Sequence, residues 1–254
     1  MMENEKNEST EEYQVKLDEK KPKKKEGRYF ETGIAGLDAL LDGGIRWGVS
    51  VGLVSDLRDR DILLHQIVQN ALKRGVYVYY CCFKEAPERI RLSMEDMNFS
   101  TEEYEKKGHL RFYTPLDTEL TRRLKNAAEL IKEFDNFANR LMRDVTFKVL
   151  ALKQVLLVFN SYSAIYTMMH EDPTWTDFIS HNTSWLRRLV KVVSIGLSDL
   201  KDRQAADDFN DFCIEMENMD GIPYIRATKV SSAGWVPFRS SQDGIVIADE
   251  FMVR

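Results

Sequence analysis

The sequence is poor in the residue types that carry metal, redox or membrane chemistry. Its three cysteines, two of them adjacent as Cys81-Cys82, make neither a CxxC pair nor a zinc spacing, and an odd number suits no disulfide framework. A reducing compartment is the expectation. The four histidines, His65, His109, His170 and His181, are scattered, without an HExxH or carboxylate spacing around them, so no metal is expected. Ser161 and Ser163 lack the glycine pattern of a nucleophile elbow, which removes the main support for a hydrolase. No stretch approaches the roughly 18 apolar residues of a membrane span, and the first residues are charged rather than built round an apolar signal core. A basic excess is missing as well. The net charge of −5 argues against a general binder of nucleic acid or of membrane surfaces, although a local basic patch is compatible with it. The expected location is cytoplasmic.

What is present is enough for a full core: 254 residues with 43% hydrophobic content fit one domain behind a charged tail. Residues 1–27 mix Glu and Lys with Asn and Ser and show no periodicity, so they are expected to be disordered. Their run Lys20-Lys21-Pro22-Lys23-Lys24-Lys25 reads as a solvated linker, with binding of an acidic partner or nucleic acid as the alternative. Residues 28–254 form the predicted domain.

Its centre is Val49–Gly75. Val49–Val54 is short and β-branched, as in a buried strand, while Ile62, Leu64, Ile67, Val68, Ala71 and Leu72 recur at helical spacing. Lys73, Arg74 and Gly75 supply a positive last turn and a left-handed stop. A strand–turn–helix unit is where phosphates dock in nucleotide-binding proteins, because free N–H groups and the helix dipole favour anions. Such a loop needs glycines, a lysine and a Ser/Thr hydroxyl. The turn here reads Ser55-Asp56-Leu57-Arg58-Asp59-Arg60-Asp61 and has no glycine or lysine. Asp56, Asp59 and Asp61 are expected to cap the helix and take the donors a phosphate would use, with Arg58 and Arg60 paired to these aspartates.

Further along, Val76–Phe83 and His109–Tyr113 read as strands, Glu88–Asn98 as a helix, and Thr118–Arg143 as a long amphipathic helix. Val155–Phe159 has the continuous apolar character of a central parallel strand, ending at Asn160. Trp175–Val193 reads as a helix and Lys201–Asn210 as a charged loop. Phe212–Glu217 and Ile222–Val230 read as strands joined at Asp220-Gly221, and Gly244–Ile247 as a closing strand. Apolar strands alternating with amphipathic helices demand a layered α/β body with a mostly parallel sheet, helices on both faces and a C-terminal hairpin.

Upstream of the turn, Thr32-Gly33-Ile34-Ala35-Gly36-Leu37-Asp38-Ala39-Leu40-Leu41-Asp42-Gly43-Gly44-Ile45-Arg46-Trp47-Gly48 resembles the opening of a KaiC-like domain of the RecA superfamily, whose pattern is TGI..(F/L)D..LGGGI..G. The resemblance runs from about Thr32 to Ile247 and implies the RecA-like form of the α/β fold. It aligns Asp56 and Asp61 with the first and last glycines of the phosphate loop, Ile62 with its lysine and Leu63 with its magnesium-binding threonine. Lys84 falls on the glutamate that polarises the attacking water, with the second glutamate retained as Glu85. Asn160 falls on the magnesium-orienting aspartate, and an amide has no charge to neutralise Mg²⁺. In active relatives a Lys-x-Arg pair reaches the neighbouring subunit's nucleotide; here Lys229 is retained and Ser231 replaces the arginine. Joint loss of four elements implies no ATP hydrolysis, since phosphoryl transfer is positioning and charge stabilisation by these parts.

The resemblance therefore implies a pseudo-ATPase needing no cofactor, a regulatory or scaffold protein acting through the ring-type interface on itself or a related protein, with Trp235 and Phe238 as candidate contacts. Such single domains are mainly archaeal, which makes an archaeal cytoplasm the implied setting. The alternative is a signalling or DNA-repair type ATPase that binds ATP and magnesium through an altered site.

Overall fold

The computed structural model describes residues 27–114, 127–164, 184, 188–230, 234–241 and 243–247. In chain order it has β1 (Tyr29–Phe30), α1 (Ala35–Leu40), β2 (Ile45–Arg46), β3 (Ser50–Val54), α2 (Asp59–Lys73), β4 (Tyr77–Cys81), α3 (Pro87–Glu95), α4 (Glu102–Lys106), β5 (Leu110–Tyr113), α5 (Ala127–Leu150) and β6 (Val155–Phe159). There follow β7 (Val192–Ser198), α6 (Arg203–Phe209), β8 (Phe212–Met219), β9 (Ile222–Ala227), β10 (Val236–Ser241) and β11 (Gly244–Ile247). The main sheet has nine strands in the order β11-β10-β9-β8-β3-β7-β6-β4-β5. From β8 to β5 every pairing is parallel, and β9, β10 and β11 continue it antiparallel. This is the expected α/β architecture.

Alternation along the strands sends side chains to two cores. On one face Leu63, Leu64, Ile67 and Val68 of α2 share a cluster with Val51, Leu53, Val78, Tyr80, Val158 and Ile195. On the other, Phe134, Phe137, Leu141 and Val145 of α5 share one with Tyr79, Cys81, Leu157 and Phe159. A helix packed on each face leaves the strands buried on both sides, which is why β6 reads as an unbroken apolar run and β3 is apolar after Ser50.

Several boundaries differ from the sequence reading. Val192 and Val193 are not helical; they begin β7, which lies between β3 and β6 at the middle of the sheet. The pattern Val193-Ser194-Ile195-Gly196-Leu197-Ser198 is an alternation: the apolar members join the α2-side core, and the small ones leave room on the other face. There the ring of Tyr162 lies so close that a Cβ on Gly196 would fall 2.0 Å from it. Most of the remainder of Trp175–Val193 lies outside the described residues, as do 1–26 and 115–126. The long amphipathic helix continues seven residues past Arg143, to Leu150. Lys201–Asn210 is not a loop but contains α6, held by the single fully buried Ala206. The Asp220-Gly221 turn is as read, with both residues at positive φ (54° and 83°), as a type I′ hairpin requires.

Candidate functional site

The parallel strands β3, β7, β6 and β4 all end at one edge, where α/β sheets hold ligands. The turn between β3 and α2 sits there. Ser55, wholly buried, anchors it: its hydroxyl donates to the Met216 carbonyl on β8 (2.8 Å) and accepts from the Leu57 N–H (3.0 Å). Arg60 then folds back over the turn. Its Nη1 donates to the carbonyls of Ser55 and Ser198 (the latter at 3.2 Å) and to Asp199 Oδ1 at 2.9 Å, with the side chain only 12% exposed. The turn thus directs carbonyl and carboxylate oxygens at an internal cation. A phosphate cradle directs N–H groups at an anion.

The expected capping by aspartates is not what forms. No side chain caps α2, and Asp56 Oδ1 instead accepts from the Leu200 N–H, 2.9 Å away across the edge, beyond β7. The first donors of the helix are met locally: Arg60 N–H bonds to Leu57 O and Asp61 N–H to Arg58 O, both i to i−3. Arg60 likewise pairs with Asp199 and not with the aspartates beside it in sequence, because folding back over the turn aims its guanidinium at the end of β7. Asp61 is held above the usual carboxylate range by burial, opposed by Arg60, while Glu85 raises it further and Lys84 lowers it. Arg60, Asp61, Lys84, Glu85 and Asp199 therefore share one electrostatic neighbourhood.

The other aligned positions are placed as follows. Ile62 is half-buried against the core, and Leu63 is wholly inside it. Neither reaches the crevice as a polar group. Asn160, nearly buried, uses its Oδ1 to accept from Phe83 N–H (2.6 Å) and Lys84 N–H (3.1 Å), tying the end of β6 to the end of β4. Lys84 and Glu85 are exposed. Lys229, at φ +63°, turns back on its own domain: Nζ donates to Asp207 O (2.7 Å) and lies 3.5 Å from Asp207 Oδ1. Ser231 lies outside the described residues.

The candidate contacts Trp235 and Phe238 do not form an exposed apolar pair. Phe238 is 2% exposed, because on β10 it faces the same core as Ile225 and Ile245. Trp235 is half-buried with the Arg226 guanidinium 4.4 Å from its ring centroid. Arg226 and Arg203 in turn bracket the wholly buried Glu215 at 2.6 and 2.7 Å. Charges removed from water this way are costly unless paired, and here both carboxylate oxygens are paired.

Sequence reading missed Ser198 and Asp199 as partners of the turn. The alternation before them marks a strand, but its place beside the turn follows from the sheet order alone.

Strands that end together over a strand–turn–helix crevice, extended by antiparallel strands on one side, define the RecA-like class of α/β nucleotide-type domains. A model of the family described as KaiC ATPase matches residues 30–209, and the chain belongs to that family. A solved KaiC-like protein from the hyperthermophilic archaeon Pyrococcus horikoshii OT3 superposes with a TM-score of 0.68 at 20% identity, over 87% of this chain and 99% of that one. At that identity the likeness concerns the fold. No curated protein matches.

Proposed function

We propose that this member of the KaiC family does not hydrolyse ATP, and acts as a regulatory or scaffold domain through contacts with itself or with a related protein, without a cofactor. The observation that supports this most is Arg60. Its guanidinium bonds two main-chain carbonyls and Asp199 inside the turn, so an internal cation takes the place an anionic ligand would need. Leu63 in the core, Lys84 in place of a carboxylate and the Asn160 amide engaged with β4 point the same way. Lys229, bonded to Asp207, supports contacts that do not depend on nucleotide.

The test is thermal unfolding with and without millimolar ATP and Mg²⁺, together with phosphate release. A ligand bound by the native state must raise the melting temperature by mass action. The expected result is no shift and no turnover. A shift, or turnover lost on replacing Arg58 and Arg60, replaces this reading with an ATP-binding domain of altered site. Light scattering should give one mass whether or not ATP is present; mass that rises only with nucleotide refutes the scaffold reading.

A further inference from the structure

Opposite the crevice, the N-terminal edge of the sheet carries a different surface. Phe147 and Leu150 at the end of α5, Leu152 just beyond it and Val190 before β7 are 66%, 74%, 73% and 77% exposed. The β6–β7 pairing brings the two segments together: Val155 N–H bonds to Lys191 O (2.9 Å), and Lys191 Nζ to Leu152 O (3.1 Å). Leu152 sits at φ +58°, the left-handed position after a helix where glycine is normal and a bulky residue is unfavourable. A leucine held there with its side chain in solvent serves no packing purpose within the described residues.

The same edge is basic although the chain as a whole is acidic. Lys148, Lys153 and Lys191 have no ion pair among the described residues, and Arg188 beside Val190 is exposed. Lys148 lies 4.1 Å over the Tyr77 ring, which itself packs 4.4 Å from His109. The His109 imidazole is held below its ordinary range first by burial, then by Lys148, Lys107 and Lys153, so these ammonium groups act on one point. Lys107 is partly neutralised by Glu103.

We infer that this edge is a peripheral membrane-binding surface, in which Phe147, Leu150, Leu152 and Val190 enter the interfacial layer of an anionic lipid leaflet while Lys148, Lys153, Arg188 and Lys191 meet its headgroups. Side chains two-thirds or more exposed stand out as a ridge, whereas capture of a partner's amphipathic helix calls for a recess. An apolar ridge rimmed by cations is the arrangement that binds lipid interfaces, each cation adding to the attraction. The global charge that argues against a membrane surface is an average over the chain, and Lys148, Lys153, Arg188 and Lys191 lie at this one edge.

The test is flotation of the full-length protein with vesicles of phosphatidylcholine alone and of phosphatidylcholine with 30% phosphatidylglycerol, at low and high salt. Binding should require the anionic lipid and weaken with salt. Lys153→Glu with Lys191→Glu should reduce it by about 25-fold or more, each lost cation costing about fivefold. Leu152→Gly is the decisive variant, because glycine suits the backbone there: binding should fall several-fold while the urea midpoint stays the same or rises. Absence of vesicle binding, equal binding to neutral vesicles, or indifference to Leu152→Gly overturns the inference. So does a mass in solution that doubles in the native chain and reverts with Leu152→Gly, which assigns the ridge to a second copy.

Discussion

Replacing Arg60 by methionine removes the guanidinium while keeping most of the side-chain volume. The Ser55 carbonyl then loses its donor, while the Ser198 carbonyl keeps the Ser55 N–H at 3.1 Å and loses only its second; these residues are 0% and 1% exposed. Leaving a buried acceptor unsatisfied costs about 1–3 kcal/mol. The ion pair to Asp199 adds less, about 1 kcal/mol or below, since Asp199 is 30% exposed and water takes over part of the loss. Together these give a destabilisation of about 2–4 kcal/mol, which for a domain of this size lowers the urea midpoint by about 1 M. Equilibrium unfolding of Arg60→Met, Asp199→Asn and the double variant separates the terms. The double variant should lie about 1 kcal/mol closer to Arg60→Met than additivity allows, because Asp199→Asn has nothing left to break. A cost for Arg60→Met within about 0.5 kcal/mol, the range of an ordinary surface change, would refute the reasoning: the guanidinium would then not be held in the turn and would be free for a ligand.

Restoring the aligned chemistry by Ile62→Lys with Leu63→Thr should produce no phosphate release and should destabilise the domain by about 2–4 kcal/mol, since Leu63 is wholly buried and a hydroxyl there has no assigned partner; a stable, active variant refutes this. Gly196→Ala should unfold more easily by about 3 kcal/mol, because the new Cβ meets the Tyr162 ring, and Tyr162→Ala in the same chain should recover part of the loss in a double-mutant comparison of urea midpoints. His65, buried beside Tyr80 and Ser93, has its pKa lowered by burial to about 4, against 6.5 when exposed. Below 6.5 the unfolded chain takes the extra proton, so stability is full above that pH and is lost as pH falls towards about 4, by up to about 3 kcal/mol; His65→Gln should flatten this limb in midpoints measured at pH 4.5 and 7.

The elements legible in the sequence were those whose cause is local. The β3–turn–α2 unit follows from a β-branched run, a helical stripe and Gly75, which does sit at φ +77°. The β8–β9 hairpin follows from Asp220-Gly221. β7 was obscured because its alternation is between apolar and small residues, and the reason for Ser194 and Gly196 is the Tyr162 ring, far away in sequence. Phe238 illustrates the converse: near charged and polar residues its sequence resembles a surface segment, but β10 pairing turns it inward. At the turn, the residues themselves were identified, while their partners were not. Arg60 and Asp56 bond to Asp199 and Leu200, which reach the turn only once β7 has inserted beside β3. Side-chain pairing across a parallel sheet is fixed by topology and leaves no local signature.

The Lys229–Asp207 contact bears on cooperativity. Sites in neighbouring copies influence one another only through a group whose contacts differ with the state of the partner, and the coupling free energy is bounded by that difference. Lys229 gives one of its three donors to the Asp207 carbonyl and lies near the Asp207 carboxylate, so drawing it away across a joint means breaking those contacts first. Any coupling through Lys229 between assembled copies is therefore reduced by the free energy of its contacts with Asp207, about 1 kcal/mol or less for a pair this exposed.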